Sequence, residues 1–166
     1  VQVKNTQIYN SSNYGILAQT GKIVGENLVI NNAGVASLAC LYGGDYHFTH
    51  STFNNNWNSS SQVAVLVSNF ITGAVPESKD LTQATFNNCI IYGSYSNEML
   101  LNKKATSVFN YQFNHCLLKF NNSSNLFTND PLYKFETDAT HYSGIILNKD
   151  PKFFKVNQNQ LNIDNT

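Results

Sequence analysis

Four histidines, ten carboxylates, ten lysines and three cysteines are the side chains from which this 166-residue chain would build catalysis or metal binding. Hydrolysis of a glycosidic bond takes two carboxylates about 5–10 Å apart. Asp45, Asp80 and Glu98 are the candidates for such a pair, but no two carboxylates fall at one position of neighbouring segments. His50 and His115 hold equivalent positions two segments apart, roughly 10 Å at the spacing of paired strands, too far to share a metal or a proton. His47 is expected to point outward between inward Tyr46 and Phe48, and His141 has no assigned place. The six aspartates are scattered, so no calcium constellation of convergent oxygens is visible. No CxxC or Cys/His spacing marks a zinc site, and no glycine-rich loop opens a helix over a phosphate. Neither a catalytic set, nor a metal, nor a cofactor is therefore assigned. Aromatic side chains remain: Trp57 and Tyr95 fall in equivalent turns, and Tyr14 lies close to the same place. Exposed rings of this kind stack on sugars. With Glu98, the one charge on the neighbouring strands, they are the candidate carbohydrate contacts.

Elements that could position such groups are written in the composition. Charged residues make up 12% of the chain, there is no arginine, and asparagine fills 26 positions. The apolar fraction of 42% and the aromatic fraction of 13% are enough for a core, so low charge here does not mean disorder. Asparagine tolerates the left-handed backbone, so its abundance fits a fold with many tight turns. Zero net charge provides no field to hold nucleic acid, and no apolar run is long enough to span a membrane.

One six-residue pattern occurs five times: Val3–Ile8, Val24–Val29, Phe48–Phe53, Phe86–Ile91 and Phe113–Leu118. The copies start 21, 24, 38 and 27 residues apart. Stacked, they predict an apolar column Val3–Val24–Phe48–Phe86–Phe113, a column of small residues Thr6–Asn27–Ser51–Cys89–Cys116, and a second apolar column Ile8–Val29–Phe53–Ile91–Leu118. Two polar residues between the apolar ends mark a corner joining two short strands. A third apolar segment follows each of the first four copies, at 14–18, 35–41, 63–67 and 98–101. Periods in the twenties with short strands predict a solenoid. The fold expected is all-β: a right-handed parallel β-helix with three short strands per coil, about five to six coils, and an irregular C-terminal cap. A β-sandwich would account for the composition but not for five copies in one register. Regular coils are expected over 1–127 and irregular last coils and cap over 128–166, all in one domain. Cys89 and Cys116 stack as small interior residues and are expected to stay reduced. About 14 extra residues at 68–81 form an inserted loop.

The repeats resemble the right-handed parallel β-helix of the pectate-lyase-like superfamily. Asn87–Gly93, Phe113–Lys119 and Asp150–Phe153 resemble, more narrowly, secreted β-helix proteins of Bacteroidetes-type bacteria. The resemblance implies a secreted, periplasmic or cell-surface location and a chain that forms the C-terminal part of a longer β-helix. It also implies polysaccharide as partner; the chain is expected to act as a monomer. In lyases of that superfamily a basic residue abstracts a uronate proton beside bound calcium. With arginine absent, Lys79, Lys103 and Lys104 would have to serve, near Glu77 and Asp80. The expected function is a non-catalytic polysaccharide-binding module. The alternative is a polysaccharide lyase or glycoside hydrolase whose site lies largely outside this chain. Apolar residues on both parities of the third strands predict that their outer face is covered, by the 68–81 insertion, by the Trp57 turn or by the tail.

Overall fold

The computed structural model describes residues 1–58, 61–73 and 77–163. Part of the 68–81 insertion, residues 74–76, lies outside the described residues. In chain order the strands are β1 (Gln2–Ser11), β2 (Tyr14–Gln19), β3 (Lys22–Ala33), β4 (Ala36–Leu41), β5 (Gly44–Thr49), β6 (Thr52–Asn55), β7 (Val63–Ser68), β8 (Phe70–Ile71), β9 (Glu77–Ser78), β10 (Leu81–Asn87), β11 (Ile90–Gly93), β12 (Met99–Asn102), β13 (Gln112–Asn114), β14 (Leu117–Leu118), β15 (Tyr142–Ser143), β16 (Ile146–Leu147), β17 (Phe153–Lys155) and β18 (Gln160–Ile163). The described helical structure is two single turns of 3₁₀ helix, at Pro131–Tyr133 and Val156–Gln158. The protein is all-β.

Ten strands form one large parallel sheet that curls as a half-barrel. Its order is β15-β13-β10-β5-β3-β6-β11-β14-β16, with β1 paired to β3. A second parallel sheet has the order β12-β7-β4-β2. The long strands β1 and β3 run through the bend that elsewhere separates two strands. One residue at each bend has positive φ: Asn5, Asn27, His50, Asn88, His115 and Gly144, all between 49° and 62°. An L-residue pays for this backbone unless it is Gly, or Asn with a local hydrogen bond. Asparagine and histidine there bond one another along the stack: Asn27 Nδ2 donates to Asn5 Oδ1 at 2.8 Å, and Asn88 Nδ2 lies 3.2 Å from His50 Nε2.

Pairing corrects the predicted columns in two places. Gly25, not Val24, pairs with Val3 and Phe48, so the second copy begins one residue later. Leu28 and Ile30 consequently replace Asn27 and Val29 in the other columns. The corner residue of that copy is Asn27 rather than Glu26, which instead pairs with Lys4 at 2.7 Å. The cause is steric: a Cβ on Gly25 would lie 2.5 Å from the Phe48 ring and 2.9 Å from Leu28. Phe48 and Leu28 fill the space a side chain would have used. A sixth copy, Tyr142–Leu147, lies in the stretch expected to be irregular, with Tyr142 on Phe113 and Leu147 on Leu118.

Aromatic rings occupy one line through the core. Phe48 and Phe86 stack at 5.3 Å, Phe86 and Phe113 at 4.8 Å, and Phe113 and Tyr142 at 5.7 Å. These separations follow the strand spacing, so the sheet itself sets the stacking distance. Ile16, Leu38, Val65 and Met99 of the second sheet enter the same core. At the C-terminal end Phe120, Phe127, Tyr133 and Phe135 cluster, and Leu101 N donates to Tyr133 Oη at 2.9 Å. Cys40, Cys89 and Cys116 are buried and unpaired, as expected of small core residues. Burial raises the Cys40 thiol far above its usual range.

The outer face of the second sheet is less covered than expected. Ala36, Ala39 and Val63 are buried, but Leu17 is 47% exposed, and Tyr14, Leu41, Leu66 and Leu100 are half-buried. The insertion meets this face at its end, where Leu41, Ser68, Phe70, Ile71, Thr72 and Asn102 share a groove. Its bonds run to the 104–108 loop: Ser78 Oγ lies 2.7 Å from Thr106 Oγ1, and Val108 N donates to Asp80 Oδ1 at 2.8 Å.

Candidate functional site

The turns that lead from the large sheet into the second sheet stack on one another. Gly34 N donates to Ser11 O at 3.0 Å, Val35 N to Asn13 O at 2.7 Å, Ser94 N to Asn55 O at 2.9 Å and Asn121 N to Ser96 O at 2.8 Å. Along this edge stand Tyr14, Trp57 and Tyr95. Trp57 is 36% and Tyr95 37% exposed, while Tyr14 is half-buried against Ala36, Ala39 and Val63. The Trp57 ring lies against Gly34 of the neighbouring turn. The three rings therefore share one edge as their spacing suggested, without touching one another among the described ring pairs.

The backbone under each of the two exposed rings is held by a buried side chain. Trp57 N donates to Asn55 Oδ1 at 3.1 Å. Asn55 is fully buried, receives Ala33 N on the same oxygen, and donates to Ala33 O and Val63 O at 2.8 and 3.0 Å. One amide thus replaces the backbone bonds that the turn interrupts. Tyr95 N donates to Glu98 Oε1 at 2.6 Å. Glu98 is 0% exposed, so it sits under the turn and does not face a ligand; among the candidate contacts it is the one whose place must be corrected. Its seat depends on Gly93, where a Cβ would lie 2.2 Å from Glu98 Oε1 and 2.3 Å from Asn55 O. Burial pushes the Glu98 carboxyl up to about 7, against the opposing Tyr95 N–H and the charge of Lys119. Lys119 itself donates to Gly93 O and lies over the Tyr92 ring.

Polar defects collect at this edge. Asn56 Nδ2, Gln62 Oε1, Asn97 Oδ1 and Glu98 Oε2 are buried atoms without a hydrogen-bond partner. Such atoms are uncommon in folded proteins and concentrate where function or an unusual protonation state compensates for them. The sequence offered no signal for these defects, because Gln62 and Asn97 read as ordinary turn residues.

The candidate acid and base residues divide between two other places. Asp45, Asp80 and Lys79 join Lys22 around an open cleft of about 620 Å³. Asp45 is engaged by Lys22 and by His47, both at 2.7 Å, and Lys22 holds its carboxyl below the usual range. Asp80 caps Val108, Lys79 lies over the Tyr42 ring, and the Tyr42 hydroxyl donates to Glu77. Lys103 borders a second cavity of about 430 Å³ with Asp130, Asp138, His141, Phe109 and Tyr111. There His141 Nδ1 lies 2.6 Å from Asp138 Oδ2, and its ring stacks on Tyr111 at 4.2 Å. This Asp–His pair was not legible in the sequence. Lys104 belongs to the loop held by Asn69, whose Oδ1 accepts Lys104 N at 2.7 Å. His50 and His115 stay at their corners, separated by Asn88. Among the described residues no three His, Cys, Asp or Glu side chains group as a metal site. No described helix is long and apolar enough to cross a membrane. No family model matches the chain, and no curated protein or solved structure matches it.

Proposed function

We propose that the chain is a right-handed parallel β-helix of the pectate-lyase-like kind, with three strands to the coil, and that its turn edge binds polysaccharide without cleaving it. On this reading it works outside the cytoplasm, as a secreted, periplasmic or cell-surface module, and as a monomer. The observation that carries the binding reading is the pair Trp57 and Tyr95: two half-exposed rings on one edge, the backbone N–H of each residue held by a fully buried acceptor. A turn whose backbone is held in advance loses little freedom when a sugar stacks on its ring, which favours affinity on a solvent-facing edge. The test is binding of the wild-type chain, Trp57→Ala and Tyr95→Ala to polygalacturonate, alginate, xylan and a β-glucan. Loss of binding in both variants at unchanged thermal stability supports the reading. Equal binding by wild type and both variants, or none by any of them, removes it.

A second reading, lyase or hydrolase, is favoured by one feature, the cavity where His141 is oriented by Asp138 with Lys103 at its rim. An oriented imidazole is a general base and an ammonium group can neutralise a carboxylate. Unsaturated products or new reducing ends from the same four polymers, lost in His141→Ala, would move this reading ahead.

A further inference from the structure

Glu98 and Gln62 are each buried, 0% and 1% exposed, and each leaves one oxygen unused. Glu98 Oε1 accepts Tyr95 N, while Oε2 has no partner; Gln62 Nε2 donates to Ser94 Oγ at 3.2 Å, while Oε1 has none. The Gln62 side chain is near enough to the Glu98 carboxyl to act on it, and its amide, with the N–H groups of Tyr95 and Ala64, favours the ionised form against burial. Each of these two buried oxygens lacks a hydrogen, and leaving it so is costly.

Two arrangements would supply it. Gln62 could turn its amide so that Nε2 faces an ionised Glu98. Ser94 would then donate to Gln62 and give up Asn55 O and Trp57 O, the acceptors its hydroxyl now approaches at 3.4 and 3.5 Å. A carboxylate would also remain inside with no ion pair among the described residues, the nearby Lys119 ammonium reaching Gly93 O. A proton on Oε2 solves the problem without moving anything. Glu98 donates to Gln62, Gln62 to Ser94, and Ser94 to the carbonyls of Asn55 and Trp57, so the chain of donors runs in one direction from the buried acid to the Trp57 turn.

We infer that Glu98 is carried as a neutral carboxylic acid, its Oε2 proton given to Gln62, and that losing this proton loosens the turn holding Trp57 and Tyr95. The ring edge is then a pH-gated surface, firm when Glu98 is protonated. The charged and titratable groups around Glu98 are few. Lys119 opposes protonation, and Tyr92 lies beside it, itself facing Asp150. The gate takes its ligand from the polysaccharide-binding reading, but the proton and the turn can be followed without any ligand.

The experiment is a pH titration of the full chain labelled with ¹³C-glutamate, which carries four glutamates, with the emission of its single tryptophan, Trp57, followed in parallel. The expected result is one carboxyl resonance titrating near 7 that is lost in Glu98→Gln, and a Trp57 transition with the same midpoint that becomes flat in that variant. Should Glu98→Gln not fold, the Tyr95 amide resonance of the wild-type chain, bonded to Oε1, reports the same midpoint. Four glutamates all titrating below about 5, the ordinary range, overturn the neutral acid. A titration near 7 that leaves Trp57 emission and the Tyr95 amide unmoved overturns the gate. Binding to the four polymers at pH 6 and pH 8 then separates the two readings. About tenfold weaker binding at pH 8, in wild type but not in Glu98→Gln, supports both. Transitions without binding at either pH support the gate and remove the polysaccharide.

Discussion

At the left-handed corner, the residues Asn5, Asn27, His50, Asn88, His115 and Gly144 repeat one backbone conformation, and their amides bond along the stack. At the ring edge, turns of different lengths replace one another, and Asn56, Gln62, Asn97 and Glu98 each keep one buried polar atom without a partner. Both are turns between strands of the same repeats, built from the same uncharged polar residues. The corner is two residues long, bonds its side chains to one another along the stack and projects no large aromatic ring beyond the imidazoles of His50 and His115. The ring edge has room for rings, uses a buried carboxyl in place of a backbone acceptor, and leaves hydrogen-bonding capacity over. Local rules hold where a protein is only scaffold and tend to be broken where it acts. Here that contrast directs attention to Trp57 and Tyr95, away from the histidines of the corner.

The comparison can be broken first through the core that both turns share. Phe86→Ala removes the middle ring of the stacked line, where Phe48 and Phe113 flank it at 5.3 and 4.8 Å. The expected loss is about 3–5 kcal/mol, read as a lower urea midpoint at constant slope. A much smaller loss would mean that the line of rings is not what holds the repeats together.

The next effect is pH. The Glu98 carboxyl is raised from 4.5 to about 7 in the folded chain. Below 4.5 both folded and unfolded chains carry the proton and its stabilisation is fully present. As pH rises, the unfolded chain releases the proton first, and the stabilisation is lost progressively until pH passes 7. The whole change is about 3 kcal/mol, and urea titrations from pH 4.5 to 8 should show wild type falling while Glu98→Gln stays level. Asp45 and Glu26, both held low by lysines, act in the opposite direction and at lower pH.

Gly93→Ala sharpens the comparison at one atom. A methyl group there meets Glu98 Oε1, which accepts Tyr95 N, and the Asn55 carbonyl, which accepts Ser94 N in the turn beside Trp57. The expected cost is about 1–3 kcal/mol, with a shift in Trp57 emission, whereas Phe86→Ala should cost more and leave the emission of the folded fraction unchanged. The smallest effect belongs to the corner. Asn88→Ala leaves a β-carbon at φ 53° and removes the contact to His50, costing about 1 kcal/mol, while Asn88→Gly recovers the backbone part of it. Thermal unfolding of the two variants side by side checks the order.

Much of this frame could be read from spacing alone. The Phe48, Phe86 and Phe113 column, the corner and the site of the insertion follow from where apolar residues recur. Reading failed where a side chain was replaced by its neighbour's bulk. Gly25 leaves its space to Phe48, so Val24 imitates the motif one residue early. The copy Tyr142–Leu147 was hidden for a related reason: glycine stands at its corner, and 29 residues, including an aromatic cap, separate its start from that of its neighbour. At the ring edge the equivalence of Trp57 and Tyr95 was legible, but the depth of Glu98 was not. It depends on the missing β-carbon of Gly93 and on a Gln62 brought alongside from 36 residues away. The pair Asp138 and His141 lay in a segment with no readable period.

The parallel register of both sheets gives the molecule a direction. Hydrogen bonds between repeats point along the stack, from Val3 and Gly25 through Phe48, Phe86 and Phe113 to Tyr142, while covalent backbone runs across it. A pull along the stack would peel one repeat from the next, opening a few bonds at a time. A pull across it would have to shear many of them together. The same chain is therefore compliant along one axis and stiff across the other, and the way it is tethered decides which of the two a load meets.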